Sequence, residues 1–418
     1  MNNDKFTSIL KSIFSVSTLK AFRTFIDLIA GYIIINQLSL IDYASYIICL
    51  SSISLVSTIS SAGLESSLYT KGAKLWKLQP NEFAELYVSG LAYKKNFTVK
   101  ILIFLIPYMS WILWKNNFEF ESILLSIFSL TPLIFKNIYT SFQNVAMQLA
   151  AKQELSHKIE VFFSLIRALS SVCIVVIFPN IPLLIFSSGL IGLCQLIYIR
   201  SYLQSNFSLY SAKSSNEKID SIKKNVNKIL PRAIFRSLNQ EVKVVLVSIF
   251  GTTTMIAGIG ALRKISKTFG IINPSFDSII LPLFTKKKYK SKGERLSDLL
   301  KILFFKGSIF LLLSVALIYN SDLILRLIGE NYSHLTLEFN LIILSLYIKM
   351  LNISKYNLSV GYVANSYLII GIQLIIMLTL IIIIPFNSVL NIVIFGLIKI
   401  FSNFIISIIV FFYFNFRT

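Results

Sequence analysis

Phe22-Arg23-Thr24 sits in an otherwise apolar stretch, and Phe235-Arg236-Ser237 repeats it 213 positions later (236 − 23). At the same separation Ala44 falls on Ala257, Lys136 on Lys349, Ser141 on Ser354 and Asn144 on Asn357. The offset is about half of the 418-residue chain, which implies two copies of one helical unit with cations held at equivalent depth in both. Such a duplication is the pattern of a two-lobed membrane transporter whose substrate is an anion.

Composition points the same way. Hydrophobic residues make up 55% of the chain and charged residues only 14%, more apolar surface than a soluble core absorbs, and Phe, Ile and Leu run in stretches long enough to cross about 30 Å of hydrocarbon. The formal net charge is +21. Its Lys and Arg cluster between hydrophobic segments and form no aromatic-interleaved basic motif, so the charge orients the chain in a bilayer and no nucleic-acid partner is expected. Cys49, Cys173 and Cys194 are isolated in apolar segments, against a disulfide framework or zinc spacing. His157 and His334 are too few and too far apart for a metal site, and no cofactor is expected. The first apolar stretch contains Lys20, Arg23 and Asp27 and lacks a small-residue cleavage site, so it reads as a retained helix.

The 20-residue rule gives about 12 spans. They centre on Ser17 to Gln37, Tyr43 to Leu64, Asn96 to Trp114, Ser122 to Met147, Ile159 to Phe178, Ile181 to Tyr202, Ala233 to Phe250, Met255 to Phe284, Leu299 to Tyr319, Leu335 to Ser359, Ser366 to Pro385 and Val389 to Phe414. The most polar stretch, 204–228, divides two predicted six-helix lobes, 1–203 and 229–418, as a cytoplasmic linker. Lysines crowd alternate connections: Lys71, Lys74, Lys77, Lys94 and Lys95 after span two, Lys152 and Lys158 after span four, and Lys286 to Arg295 after span eight. The opposite connections, such as 179–182, 251–254 and 386–388, are uncharged turns. Because Lys and Arg are retained on the cytoplasmic side, both termini are expected there.

Charges inside the spans must face a partner or a hydrated cavity. Lys20, Arg23 and Asp27, spaced by three and four, share one face of the first helix. Arg232, Arg236 and Lys243 trace a similar stripe on the seventh, with Glu241 off it and facing a neighbouring helix. Arg263, Lys267 and Asp277 fall on one face of the eighth, where Pro274 breaks or kinks the helix. Lys136, Arg167, Lys306, Lys349 and Lys399 are cations in other spans. Lys20, Arg232, Lys306 and Lys399 lie where a side chain either snorkels to the interface or stays buried. Only Asp27, Glu241 and Asp277 read as opposing charge. The candidate substrate contacts are therefore Arg23, Arg236, Arg263, Lys267, Lys136 and Lys349, in a cationic lumen that would attract phosphate or acidic sugars. Asp27, Glu241 and Asp277 are candidate counter-ions or coupling sites.

The 12-span layout carries Gly63-Leu64-Glu65 at the end of span two and residues 257–267 followed by Asn273-Pro274 and Leu281-Pro282. After span nine comes Leu325-Arg326-Leu327-Ile328-Gly329-Glu330-Asn331-Tyr332. Over essentially its full length the chain resembles the Wzx-type flippases of lipid-linked O-antigen repeat units, in the polysaccharide-transporter branch of the multidrug/oligosaccharidyl-lipid/polysaccharide superfamily. The resemblance implies an all-α polytopic protein of the bacterial inner membrane, with two six-helix lobes around a positively charged lumen. It implies undecaprenyl-pyrophosphate-linked oligosaccharide as the substrate, moved from the cytoplasmic to the periplasmic leaflet, with O-antigen polymerase and chain-length machinery as partners. Rocking of the halves would move the sugars while the polyprenyl tail stays in lipid.

An integral-membrane polymerase or glycosyltransferase would carry a sizeable outward loop with catalytic residues, whereas the outward connections here are a few residues long apart from Asn320 to His334. A small-molecule antiporter on the same fold would show more acids than cations in its lumen. No Gly-Lys dipeptide occurs, so the phosphate-binding loop of an ATPase is absent. The expectation is a transporter and not an enzyme. Charge alternation predicts that a reporter inserted at Ser215 or Lys290 reads cytoplasmic and one at Asn331 periplasmic; a periplasmic signal at Lys290 overturns the orientation.

Overall fold

A computed structural model describes residues 3–61, 63–264, 266, 292–359 and 366–417. Among them there is no strand. The helices are α1 (Asn3–Gln37), α2 (Leu40–Ser60), α3 (Leu64–Leu78), α4 (Pro80–Lys115), α5 (Phe120–Leu149), α6 (Gln153–Ile177), α7 (Ile181–Phe207), α8 (Asn216–Phe250), α9 (253–264), α10 (Lys292–Tyr319), α11 (Ser321–Ile328), α12 (Thr336–Met350), α13 (Ser354–Ser359), α14 (Ser366–Ile383) and α15 (Val389–Arg417). The chain is an all-α, multi-pass membrane protein. Seven of the described helices are long and apolar enough to span: α2, α4, α5, α6, α7, α10 and α15. Helices α1 and α8 occupy expected spans but are not among the seven; they are the ones that carry the charge stripes of Arg23 and Arg236. The chain divides into two compact units, Met1–Ser248 and Ile249–Thr418.

In the first unit the connection expected after span two is a helix in its own right. Gly63 starts α3 at φ 70°, the left-handed region that glycine enters without steric cost, and Pro80 opens α4 where its missing N–H costs nothing. Between them α3 buries Leu64 and Leu68 in a core with Phe83, Tyr87 and Phe142, and Trp76 meets Phe83 edge-on at 5.0 Å. Helix α4 therefore begins well before the expected span. Lys94, read from sequence as an orientation lysine, lies inside it with no exposed surface. The polar stretch 204–228 is also mostly helical, since α8 starts at Asn216.

Helix α1 packs along α6, and α5 along α7. The α5–α7 approach is close because glycine faces it. A Cβ at Gly189 would meet Pro132 Cβ at 2.7 Å and the Leu133 backbone nitrogen at 3.0 Å, and one at Gly192 would meet the Lys136 stem. In membranes such small residues let helices gain dispersion contact that no hydrophobic effect supplies.

In the second unit α12 packs along α15 and α10 against α12. The expected span from Leu335 to Ser359 is broken: α12 stops at Met350 and α13 starts at Ser354. Asn352 explains the break, because its Oδ1 accepts from the Ser354 backbone N–H at 2.9 Å and offers the chain a local turn in place of a helical bond. Asn320 to His334, expected as a loop, folds as α11 and a 3-10 turn (Glu330–Leu335) that bury Leu325 and Ile328.

The two units share one internal device. Gln143 of α5 donates through Nε2 to the Leu196 carbonyl of α7 at 3.0 Å. Asn357 of α13 donates through Nδ2 to the Ser407 carbonyl of α15 at 2.9 Å. A carboxamide thus clasps the fourth span to the sixth and the tenth to the twelfth. Buried lysines recur as well, Lys94 in α4 and Lys306 in α10, each about 1% exposed or less. Burial removes the snorkelling reading for Lys306.

Gly189→Ala is expected to lower the unfolding temperature of the detergent-purified protein, since overpacking costs roughly 1–3 kcal/mol. Gly371→Ala, where an added Cβ meets nothing within 4 Å, is the neutral control. Equal melting temperatures for both variants would refute the close α5–α7 approach.

Candidate functional site

The charged stripe of α1 meets a second stripe on α6, where His157, Glu160, Ser164 and Arg167 recur at spacings of three and four. Arg23 Nη1 donates to Glu160 Oε2 at 2.8 Å, and Ser164 Oγ donates to Asp27 Oδ1 at 2.8 Å. Both contacts join residue i of α1 to residue i + 137 of α6. A constant positive offset means the two helices run parallel, as spans one and five must. Glu160 Oε2 also lies 3.1 Å from His157 Nδ1, and Arg23 Nε is 3.8 Å from Asp27 Oδ2.

Two further cations close around this pair. Arg167 Nη2 reaches Gln195 Oε1 of α7 at 3.3 Å, while its buried Nε has no hydrogen-bond partner among the described residues. Lys136 of α5 lays its stem over Gly192 and interacts electrostatically with Arg167, Arg23, Glu160 and Asp27. Three basic side chains, Arg23, Lys136 and Arg167, thus share two carboxylates, Asp27 and Glu160. Basic groups outnumber acidic ones by one, and among the described residues no acceptor meets Arg167 Nε.

The structure brings Arg23, Asp27 and Lys136 together and adds Arg167, Glu160 and His157. Glu160 corrects the sequence reading in two ways: it is an opposing charge left off that inventory, and it is a nearer partner for Arg23 than Asp27 is. The 3-4-3 polar spacing on α6 was the available signal, masked because Glu160 falls at the edge of span five. Glu241 is buried on α8 and accepts from Ser51 Oγ of α2 at 2.7 Å, the neighbouring-helix contact expected of it. Arg236 is exposed on α8, with no hydrogen bond or ion pair among the described residues. Its resemblance to Arg23 is one of sequence and not of surroundings. In the second unit Arg263 is half-buried on α9 and Lys349 is exposed on α12. Lys267 and Asp277 lie outside the described residues.

No family model matches the chain, and no curated protein matches it. Solved structures do. An inward-facing multidrug-resistance MATE family transporter of the MOP superfamily superposes with a TM-score of 0.69 at 12% identity, over 95% of this chain and 96% of that one. The eukaryotic MATE transporter AtDTX14 gives 0.60 at 12% identity, over 99% and 96%. A MOP superfamily transporter from Pyrococcus furiosus, described as having a binding pocket of reverse polarity that suggests a different function, gives 0.56 at 12% identity, over 96% and 95%. At these identities the likeness establishes the fold, that of MATE transporters of the MOP superfamily, across nearly the full chain.

Glu160→Ala is expected to destabilise the purified protein by about 1–2 kcal/mol. Removing one partner of a buried pair costs more than this, but solvent at Arg23, whose side chain is 36% exposed, reduces the loss. A double-mutant cycle with Arg23→Ala in thermal unfolding should show coupling; strict additivity would mean the bridge contributes nothing.

Proposed function

We propose that this chain is a flippase that carries undecaprenyl-pyrophosphate-linked oligosaccharide from the cytoplasmic to the periplasmic leaflet of a bacterial inner membrane by alternating access. The observation that carries the reading is the surplus of cations among Arg23, Lys136 and Arg167 within a membrane fold of the transporter type. Excess positive charge beside low-dielectric walls favours a pyrophosphate and opposes a cationic drug. Arg23, Lys136 and Arg167 are the first contacts for the anion, and the Arg167 Nε, which has no acceptor among the described residues, is a donor for one of its oxygens. Arg236, Arg263, Lys267 and Lys349 supply further cations along the route, in two lobes with the polar stretch 204–228 between them. Asp27 and Glu160 limit the charge so that the substrate is released, and Asp27, Glu241 and Asp277 are the acids available for ion coupling. On this reading both termini are cytoplasmic, as the alternation of lysines along the connections suggests, and O-antigen polymerase and chain-length machinery are its partners.

A small-molecule antiporter of the same superfamily is the second reading, favoured by the multidrug transporters among the structural likenesses. The two separate in cells. Arg23→Ala or Arg236→Ala should abolish surface-glycan export at matched expression, and replacement by Lys should restore part of it, since a point charge keeps general attraction but lacks the guanidinium fork. Full export by both alanine variants removes these residues from the mechanism; drug resistance that depends on the chain, with no change in glycan, favours the antiporter.

A further inference from the structure

A second polar feature of the first unit lies away from the α1–α6 stripes. The end of α2, the start of α3 and the C-terminal half of α5 line an open cleft of about 490 Å³, within the ~300–1,000 Å³ range of small-molecule sites. Its polar wall carries hydroxyls, a carboxamide and one carboxylate: Ser61, Glu65, Tyr69, Thr140, Ser141 and Asn144 among others. Apolar spans have no packing reason to collect these groups at one place.

Lys94 lies behind this wall and is bonded to three of its residues. Its ammonium donates to Ser61 Oγ at 2.9 Å, the Asn137 carbonyl at 3.0 Å and Ser141 Oγ at 2.5 Å. An ammonium has three hydrogens, so these acceptors use all of it and none remains for an anion. Each serine oxygen then has a lone pair engaged, which leaves its own O–H available to donate. Asn144 lines the same space, and its buried Oδ1 has no partner among the described residues. The Glu65 carboxylate interacts electrostatically with Lys94 and offsets its charge.

The cavity therefore presents donors and acceptors on a background near neutrality, with an aromatic ring at Tyr69. We propose that it binds one uncharged sugar unit of the carried glycan. A sugar hydroxyl is donor and acceptor at once and matches paired serine donors and an orphaned carboxamide oxygen; the ring's C–H face packs on an aromatic. A pyrophosphate would meet the Glu65 carboxylate with the Lys94 ammonium already saturated. Charge alternation places the α2–α3 connection on the cytoplasmic side, so this is a loading subsite for the glycan, separate from the cations proposed for the pyrophosphate. The inference relies on the flippase reading for the sugar's origin, but its test needs no transport.

Full-length protein purified in detergent is mixed separately with N-acetylglucosamine, galactose, glucose and rhamnose, and binding is read by saturation-transfer difference NMR. At least one sugar should receive saturation, with no displacement by inorganic pyrophosphate. Thr140→Val, Ser141→Ala and Asn144→Leu, each eluting as the wild type does on size exclusion, should weaken it roughly tenfold, the effect of one lost hydrogen bond to a buried polar group. Silence for all four sugars, displacement by pyrophosphate, or unchanged affinity in all three variants overturns the subsite. Sugar binding by a protein that exports no glycan would sink the flippase reading and leave the subsite standing; export without sugar binding would do the reverse.

Discussion

An ionised side chain inside a bilayer costs roughly 3 kcal/mol or more unless it meets a partner or water, and the first unit is arranged around that cost. Arg23 is held by Glu160, Asp27 by Ser164, and Glu241 by Ser51. Each contact joins two different helices, so the polar groups that oppose insertion also fix which helices are neighbours and in what register. The parallel pairing of α1 with α6 follows from two such contacts at one offset. With Arg167 and Lys136 added, three basic side chains stand against two carboxylates.

Elsewhere the helices meet through glycine. Gly189 and Gly192 bring α7 onto α5 closely enough for Gln143 to reach the Leu196 carbonyl, and the corresponding clasp in the second unit uses Asn357 and Ser407. These contacts are short, directional and insensitive to which apolar residues surround them. They are the kind of feature that keeps a fold intact when identity to structures of the same fold is only 11 to 13%.

Membrane class and helix order were legible in the residues because hydrocarbon thickness dictates span length. Other features were hidden for physical reasons. Helix α3 is amphipathic and too polar to register as a span, so its lysines read only as orientation signals. Asn352 breaks a helix through one side-chain hydrogen bond that hydropathy does not record. Lys94 and Lys306 stand 212 apart (306 − 94) and the clasping amides of Gln143 and Asn357 stand 214 apart (357 − 143), so a search at a strict offset of 213 misses both pairs although each joins corresponding spans. Conversely, Arg23 and Arg236 match in sequence yet differ in surroundings, since one is bridged and the other exposed. Asp27 was found through its spacing to Arg23, while Glu160, the closer partner, was concealed at a span boundary.

The claim on which the functional reading turns is that the cation surplus of α1, α5 and α6 engages a pyrophosphate-linked glycan. It is tested most directly by reconstituting the purified protein into liposomes with fluorescent undecaprenyl-pyrophosphate oligosaccharide and measuring how much of the lipid becomes accessible on the opposite leaflet. Wild-type protein should accelerate that exchange, and Lys136→Ala with Arg167→Ala should abolish it while the protein remains folded. Acceleration that survives loss of both cations, or none with the wild type, would contradict the claim.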